Sequence, residues 1–212
     1  MQTIDRHLPT QSINELCRLR SRVIPKCGAI YHQGDRFEGF YRVNSGVVMV
    51  FRLLEDSSRQ ISGFYTAGEL FGMSGDETHP DSAITVTTAN VAKLTMQDVR
   101  QSQELQSLLF KSTCNHLNAA HDLITTLTKK SAEQKVAAFL LKLAANEGEA
   151  NEAEVSLPMS RQDIADYLGM SIETVSRRLT AFKEAGLLSL PNRRQANIKS
   201  VSRLKELAGA LS

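Results

Sequence analysis

Hydrophobic and polar positions change their rhythm twice along this chain. From about residue 26 to 95, short β-rich runs alternate with turn residues: Ala29–Tyr31, Gly39–Val43, Val47–Leu53, Gln60–Tyr65, Ile84–Ala89 and Val91–Leu94. Gly34-Asp35, Ser45-Gly46, Ala67-Gly68 and Gly75-Asp76 punctuate them. Many short strands with regular turns predict a sandwich or jelly-roll barrel. From about Thr95 the period lengthens to that of a helix. Phe110, Thr113, Leu117, Ala120, Ile124 and Leu127 recur three and four apart, a narrow seam suited to helix-on-helix dimer packing. The same seam also fits a helix that buries this face in its own subunit. A further helix is predicted over Ala132–Ala145, followed by an acidic surface loop, Asn146–Glu154.

The segment Met159–Leu188 reads as two helices joined by a tight turn. Ser160 can cap the first, with Asp163 three residues on as an imperfect capping box. Ile164, Ala165 and Leu168 share one face, and Gly169 suits a turn that needs positive φ. Ser171 can cap the second helix, with Glu173 near its positive end. There Val175, Leu179 and Phe182 fall on the face to be buried, while Glu173, Ser176, Arg177 and Thr180 lie opposite. Leu187 and Leu188 begin an extended run, Pro191–Arg194 makes a turn, and Ala196–Val201 returns, which predicts a β-hairpin wing. Alone, the helix pair fits any amphipathic pair with a solvated charged face. With the wing it fits a helix-turn-helix that presents its second helix to DNA.

These elements predict an α+β chain. A lead of residues 1–25 holds a short amphipathic piece, Ile13–Leu19, and is followed by a barrel over residues 26–95. A dimerisation helix over 96–128 and a winged helix-turn-helix over 129–212 complete it. Charge sharpens the picture. The chain carries a net +2, yet residues 160–203 hold eight Lys/Arg against four Asp/Glu, so positive charge gathers where a phosphate backbone would lie. The apolar share of 42% supports a real core. No apolar run of about 18 residues exists, so no membrane span is expected. The start MQTIDRHLPTQS lacks a basic-then-apolar signal, so a cytoplasmic location is expected. Cys17, Cys27 and Cys114 are too scattered for a disulfide framework and fit a reducing compartment. No P-loop, zinc spacing, paired histidines or nucleophile with its base stands out, so no enzyme is expected.

The order of barrel, long helix and winged helix-turn-helix resembles the Crp/Fnr family of bacterial transcription regulators. The passages TKKSAEQKVAAF (128–139) and IADYLGMSIETVSRRL (164–179) carry the likeness most specifically, and they resemble the Fnr and FixK branch. That branch has Glu-x-x-Ser-Arg on its recognition helix, here Glu173, Ser176 and Arg177. The chemistry of these residue types agrees. A guanidinium can donate twice to guanine O6 and N7, a carboxylate can accept from cytosine N4, and a serine can touch a thymine edge or a phosphate. Arg161, Gln162, Arg178, Thr180, Arg193 and Arg194 are candidate phosphate contacts. The resemblance implies a homodimer on an inverted repeat of TTGA-type half-sites. It also implies activation through RNA polymerase, with Gly75–Pro80 as a candidate contact loop.

Cofactors follow from the same comparison. Cyclic-nucleotide-binding members set a glutamate on the ribose and an arginine on the phosphate. The corresponding positions here hold Met73 and Asp81, and a carboxylate repels a phosphate, so no cyclic AMP is expected. Oxygen-sensing members ligate an iron–sulfur cluster with four cysteines, and three cannot supply that set. Haem is the alternative effector, as in nitric-oxide-responsive relatives, with His7, His32, His79, His116 and His121 as the available ligands. At Ala120 the oxygen-sensing branch has an aspartate that faces its symmetry mate. Alanine removes that repulsion, so dimerisation without a cofactor is expected, as in the FixK subgroup.

Overall fold

The structure is a computed structural model that describes residues 13–144 and 151–209. The beginning of the lead segment with His7, most of the acidic loop and the last three residues lie outside these. The chain forms two compact units, one ending at Leu117 and the other starting at Asn118, with Arg59–Ile61 grouped with the second.

The first unit opens with helix α1 (Ile13–Leu19) and strands β1 (Ser21–Ile24), β2 (Ala29–Tyr31), β3 (Phe40–Ser45) and β4 (Val48–Leu53). It continues with β5 (Arg59–Tyr65), β6 (Leu70–Phe71), β7 (Ser82–Thr85), β8 (Ala89–Leu94), helix α2 (Met96–Gln101) and the start of α3 (Gln103–Lys129). Two four-stranded sheets result, ordered β1-β8-β3-β6 and β2-β7-β4-β5. Alternation along β3 and β8 assigns side chains to two cores. Tyr41, Val43 and Val91 join Tyr31, Val48, Val50 and Phe71 in one cluster. Phe40, Ala92 and Leu94 join Ile13, Cys17, Val99 and Leu105, which belong to the helices, in the other. The β1-β8-β3-β6 sheet is therefore buried on both faces. Gly39 belongs to this arrangement. Its φ is +147°, and a Cβ there would lie 2.2 Å from the Leu94 carbonyl oxygen, so only glycine fits.

Three boundaries in the first unit differ from the sequence reading. The barrel sheet begins before residue 26, because Ser21–Ile24 pairs with Ala89–Ala92. The run Ile84–Ala89 is not one strand: β7 ends at Thr85 and β8 begins at Ala89. The helical stretch 96–128 is two helices. Ser102 is buried and extended (φ −132°, ψ 109°), and its hydroxyl accepts the Leu105 N–H at 3.1 Å. A serine that caps the next helix interrupts the one before it.

The second unit holds the rest of α3, then α4 (Ala132–Ala144), β9 (Ala153–Ser156), α5 (Arg161–Leu168), α6 (Ile172–Glu184), β10 (Leu188–Asn192), β11 (Gln195–Ile198) and α7 (Val201–Leu207). The wing is a three-stranded antiparallel sheet, β10-β11-β9. The end of the predicted acidic loop is thus a strand, since Val155 and Leu157 are buried and Val155 pairs with Ala196. Pro191 lies within β10, and the turn is confined to Arg193-Arg194. Residues from Val201 form α7 in place of a returning strand, with Ser200 as its N-cap.

Inside the barrel, His79 stacks on Tyr31 with ring centroids 3.8 Å apart and is 2% exposed. Its Nδ1 has no hydrogen-bond partner among the described residues. Burial lowers its pKa below the ordinary histidine value, against a smaller upward pull from Asp35. On acidification the unfolded chain therefore takes up this proton first, so His79 favours folding above the ordinary histidine range and that contribution is lost as pH falls through it. Urea unfolding at a series of pH values should show stability declining from pH ~7 to ~5 around the free histidine pKa. His79→Phe, which keeps the stack, should flatten that decline; an unchanged profile would contradict the assignment.

Candidate nucleic-acid interface

The two helices of the reading head are set by their caps. Ser160 Oγ accepts the Asp163 N–H at 3.0 Å while Asp163 Oδ2 accepts the Ser160 N–H at 2.8 Å, so the capping box is complete with aspartate at its third position. Gly169 ends α5 in the left-handed conformation (φ 59°, ψ 49°). Two residues later Ser171 caps α6 by accepting the Thr174 N–H. The turn is therefore fixed at both ends by residues whose local chemistry demands it.

On α6, Val175, Leu179 and Phe182 are at most 2% exposed. Glu173, Ser176, Arg177, Arg178 and Thr180 are all exposed. Hydrogen bonds from its own backbone and from Ser171 lower the Glu173 pKa, with Arg177 adding to the effect, so the side chain stays a carboxylate acceptor at neutral pH. Arg177 Nη2 lies 3.5 Å from Thr174 Oγ1, a weak tether that leaves most of the guanidinium donors open. Thr174 was not singled out from the sequence. Its role as a cap partner and tether follows from a spacing of three from both Ser171 and Arg177.

The phosphate candidates divide into distinct environments. Arg193 and Arg194 sit exposed at the tip of the β10–β11 hairpin, where Asn192 Oδ1 accepts the Arg194 N–H at 2.7 Å. Arg161, the first residue of α5, is half-buried, and its Nη1 is buried without a partner among the described residues. Burial lowers its pKa, and Arg193 pushes the same way, so two cations lie near each other. Such an arrangement favours an anion between or beside them. Gln162 is already engaged, donating to Asp166 Oδ1 at 2.6 Å, so a backbone contact would require exchange of that bond.

The α3 seam is open. Phe110 is 73% exposed and Leu117 and Ile124 are each 57% exposed, seven residues apart along one stripe. Thr113 and Ala120 between them are also exposed, and Leu127 is half-buried. Phe110, Leu117 and Ile124 are therefore not buried within their own subunit. Thr113 donates to the Leu109 carbonyl at 2.9 Å and lies 3.7 Å from Met73 Sδ.

In the barrel, Asp81 accepts a hydrogen bond from the Tyr31 hydroxyl at 3.0 Å. Burial raises the Asp81 pKa against the downward pull of Tyr31 and Arg52. Tyr31, Tyr41 and Phe71 stack on one another with centroids 5.5–6.4 Å apart, and Tyr65 joins Phe71 at 5.6 Å. The polar group held beside these rings is thus an acid, Asp81. Of the other histidines, His32 and His121 are exposed and His116 meets the Tyr65 ring edge-on at 5.3 Å. Cys17 is buried, and Cys27 and Cys114 are exposed. Among the described residues, no group of three or more His, Cys, Asp or Glu side chains could hold a metal ion. No described helix is long and apolar enough to cross a membrane.

Comparison with known proteins agrees with this architecture. A Crp-like helix-turn-helix domain matches residues 134–207, and a cyclic nucleotide-binding domain matches residues 22–104. The nitrogen fixation regulation protein FixK of Rhizobium meliloti (strain 1021) is 36% identical over 84% of this chain and 82% of its own length. FixK of Azorhizobium caulinodans is 37% identical over 87% and 77%. The solved structure of FixK2 from Bradyrhizobium japonicum superposes with a TM-score of 0.82 at 31% identity, covering 91% of this chain and 98% of that one.

Proposed function

The chain belongs to the Crp/Fnr family of DNA-binding transcription regulators, and on that premise we propose that it works as a cofactor-independent homodimeric activator on TTGA-type inverted repeats. The observation that carries this reading is the division of α6 into a buried Val175-Leu179-Phe182 face and an open Glu173-Ser176-Arg177 face. Glu173 and Arg177 stand one turn apart, so an acceptor for cytosine N4 and a double donor for guanine reach the same or adjacent base pairs. Arg161, Arg178, Thr180, Arg193 and Arg194, with Gln162 after release from Asp166, set the domain on the backbone.

Two copies joined along Phe110, Leu117 and Ile124 would cover an apolar stripe that one copy leaves in water. Two-fold symmetry then demands two major-groove half-sites about one turn apart. Ala120 lets the helices approach without like charges facing each other. The ring-filled barrel and its Tyr31–Asp81 pair support a sensor domain that takes no cyclic nucleotide. With the signal unlinked from a bound group, control rests on abundance, thiol modification or turnover. On this reading the chain works in the cytoplasm, with RNA polymerase as its second partner through loops such as Gly75–Pro80.

Arg177→Ala should cost roughly 1–3 kcal/mol on a TTGA site and lose discrimination at the guanine. Equal losses across a half-site panel in a gel-shift assay would make Arg177 a phosphate contact instead. Sedimentation of the purified apoprotein at micromolar concentration should give a dimer that Ala120→Asp weakens; a wild-type monomer contradicts the reading. Isothermal titration should find no saturable binding of cyclic AMP, and micromolar binding would overturn the account of the barrel.

A further inference from the structure

The second unit contains a cavity of about 750 Å³ away from the recognition helix. Four helices wall it: α3 through Leu123, α4 through Phe139, α5 through Tyr167 and α7 through Lys205. Phe139 and Tyr167 meet at 5.7 Å between ring centroids and make an aromatic wall. Lys130, Lys142 and Lys205 stand around this apolar surface, against the single carboxylate of Asp122.

Two of the ammonium groups are held in place by neutral acceptors. Lys130 Nζ donates to the Ala208 carbonyl at 2.9 Å. Lys142 Nζ donates to the Tyr167 hydroxyl at 3.2 Å and lies 5.5 Å from the centre of that ring. None of the three lysines makes a salt bridge among the described residues. Three cations outnumbering one carboxylate and outside any salt bridge among the described residues, beside an apolar space of ordinary ligand size, match a molecule with a greasy body and an anionic end.

We propose that this cavity binds a small amphipathic carboxylate, its chain against Leu123, Phe139 and Tyr167 and its carboxylate among Lys130, Lys142 and Lys205. Such a ligand would contact α5, the first helix of the reading head, through Tyr167 and the end of α3 through Leu123. It would thus act on the DNA-binding unit without passing through the barrel. The site goes beyond the DNA-reading role and can be tested in the absence of DNA, so its failure leaves that role standing.

The test is isothermal titration of the full chain with octanoate and, as the uncharged match, 1-octanol. Octanoate should bind one site per chain and roughly two- to fivefold more tightly than 1-octanol, the scale of a partly exposed ion pair. Lys142→Gln and Lys130→Gln should each weaken octanoate by about threefold while leaving 1-octanol unchanged. Leu123→Trp should fill the space and abolish both. If a variant fails to fold by circular dichroism, Lys205→Gln on exposed α7 replaces it. Absence of a saturable site in the folded protein would overturn the proposal. So would equal affinity for the two compounds, indifference to the lysines, or loss of binding where a second copy covers the cavity.

Discussion

The burial of Val175, Leu179 and Phe182 is the constraint on which everything else rests. Those three side chains fix the rotation of α6 about its own axis. Once that rotation is fixed, Glu173, Ser176 and Arg177 have no choice but to face water. A polar residue at Val175 or Leu179 would cost stability, and it would also remove the reason for α6 to present one face. The caps add the second coordinate. Ser160 and Asp163 start α5, Gly169 stops it, and Ser171 starts α6, so the angle of approach is set within a dozen residues.

The same logic of open and closed faces separates the other parts of the molecule. In the barrel, both faces of the β1-β8-β3-β6 sheet are covered, one by the opposing strands and one by helices. On α3 the Phe110-Leu117-Ile124 stripe stays uncovered in a single chain. Water tolerates scattered apolar side chains, but a stripe with heptad spacing is the form in which helices recognise helices. The charge pattern follows a similar division within the second unit: Arg161, Arg193 and Arg194, which form no salt bridge among the described residues, gather at the wing tip and the start of α5.

Much of this was legible in the sequence because it depends on neighbours close along the chain. The faces of α6, the caps at Ser160 and Ser171, the left-handed Gly169 and the α3 seam all follow from spacings of three and four. Other features depend on partners far away. Strand β1 looks like a polar lead because only Ile24 in it is buried, and its identity as a strand comes from pairing with β8. Strand β9 hides in an acidic run and is ordered by Val155 against Ala196. The break at Ser102 rests on one hydroxyl choosing a downstream N–H, which no periodicity reveals. The ring stack brings residues 31, 41, 71 and 79 together from separate strands and loops, so the filling of the barrel becomes visible only in three dimensions.

The most direct measurement of the central claim is a dimethyl sulfate footprint on a duplex bearing the inverted repeat. That reagent methylates guanine N7 in the major groove and adenine N3 in the minor groove. The account predicts protection of the half-site guanine N7 atoms in two patches one helical turn apart, with intervening adenines still reactive. Protection of adenine N3 without guanine N7, or a single unpaired patch, would contradict a recognition helix that reads the wide groove twice.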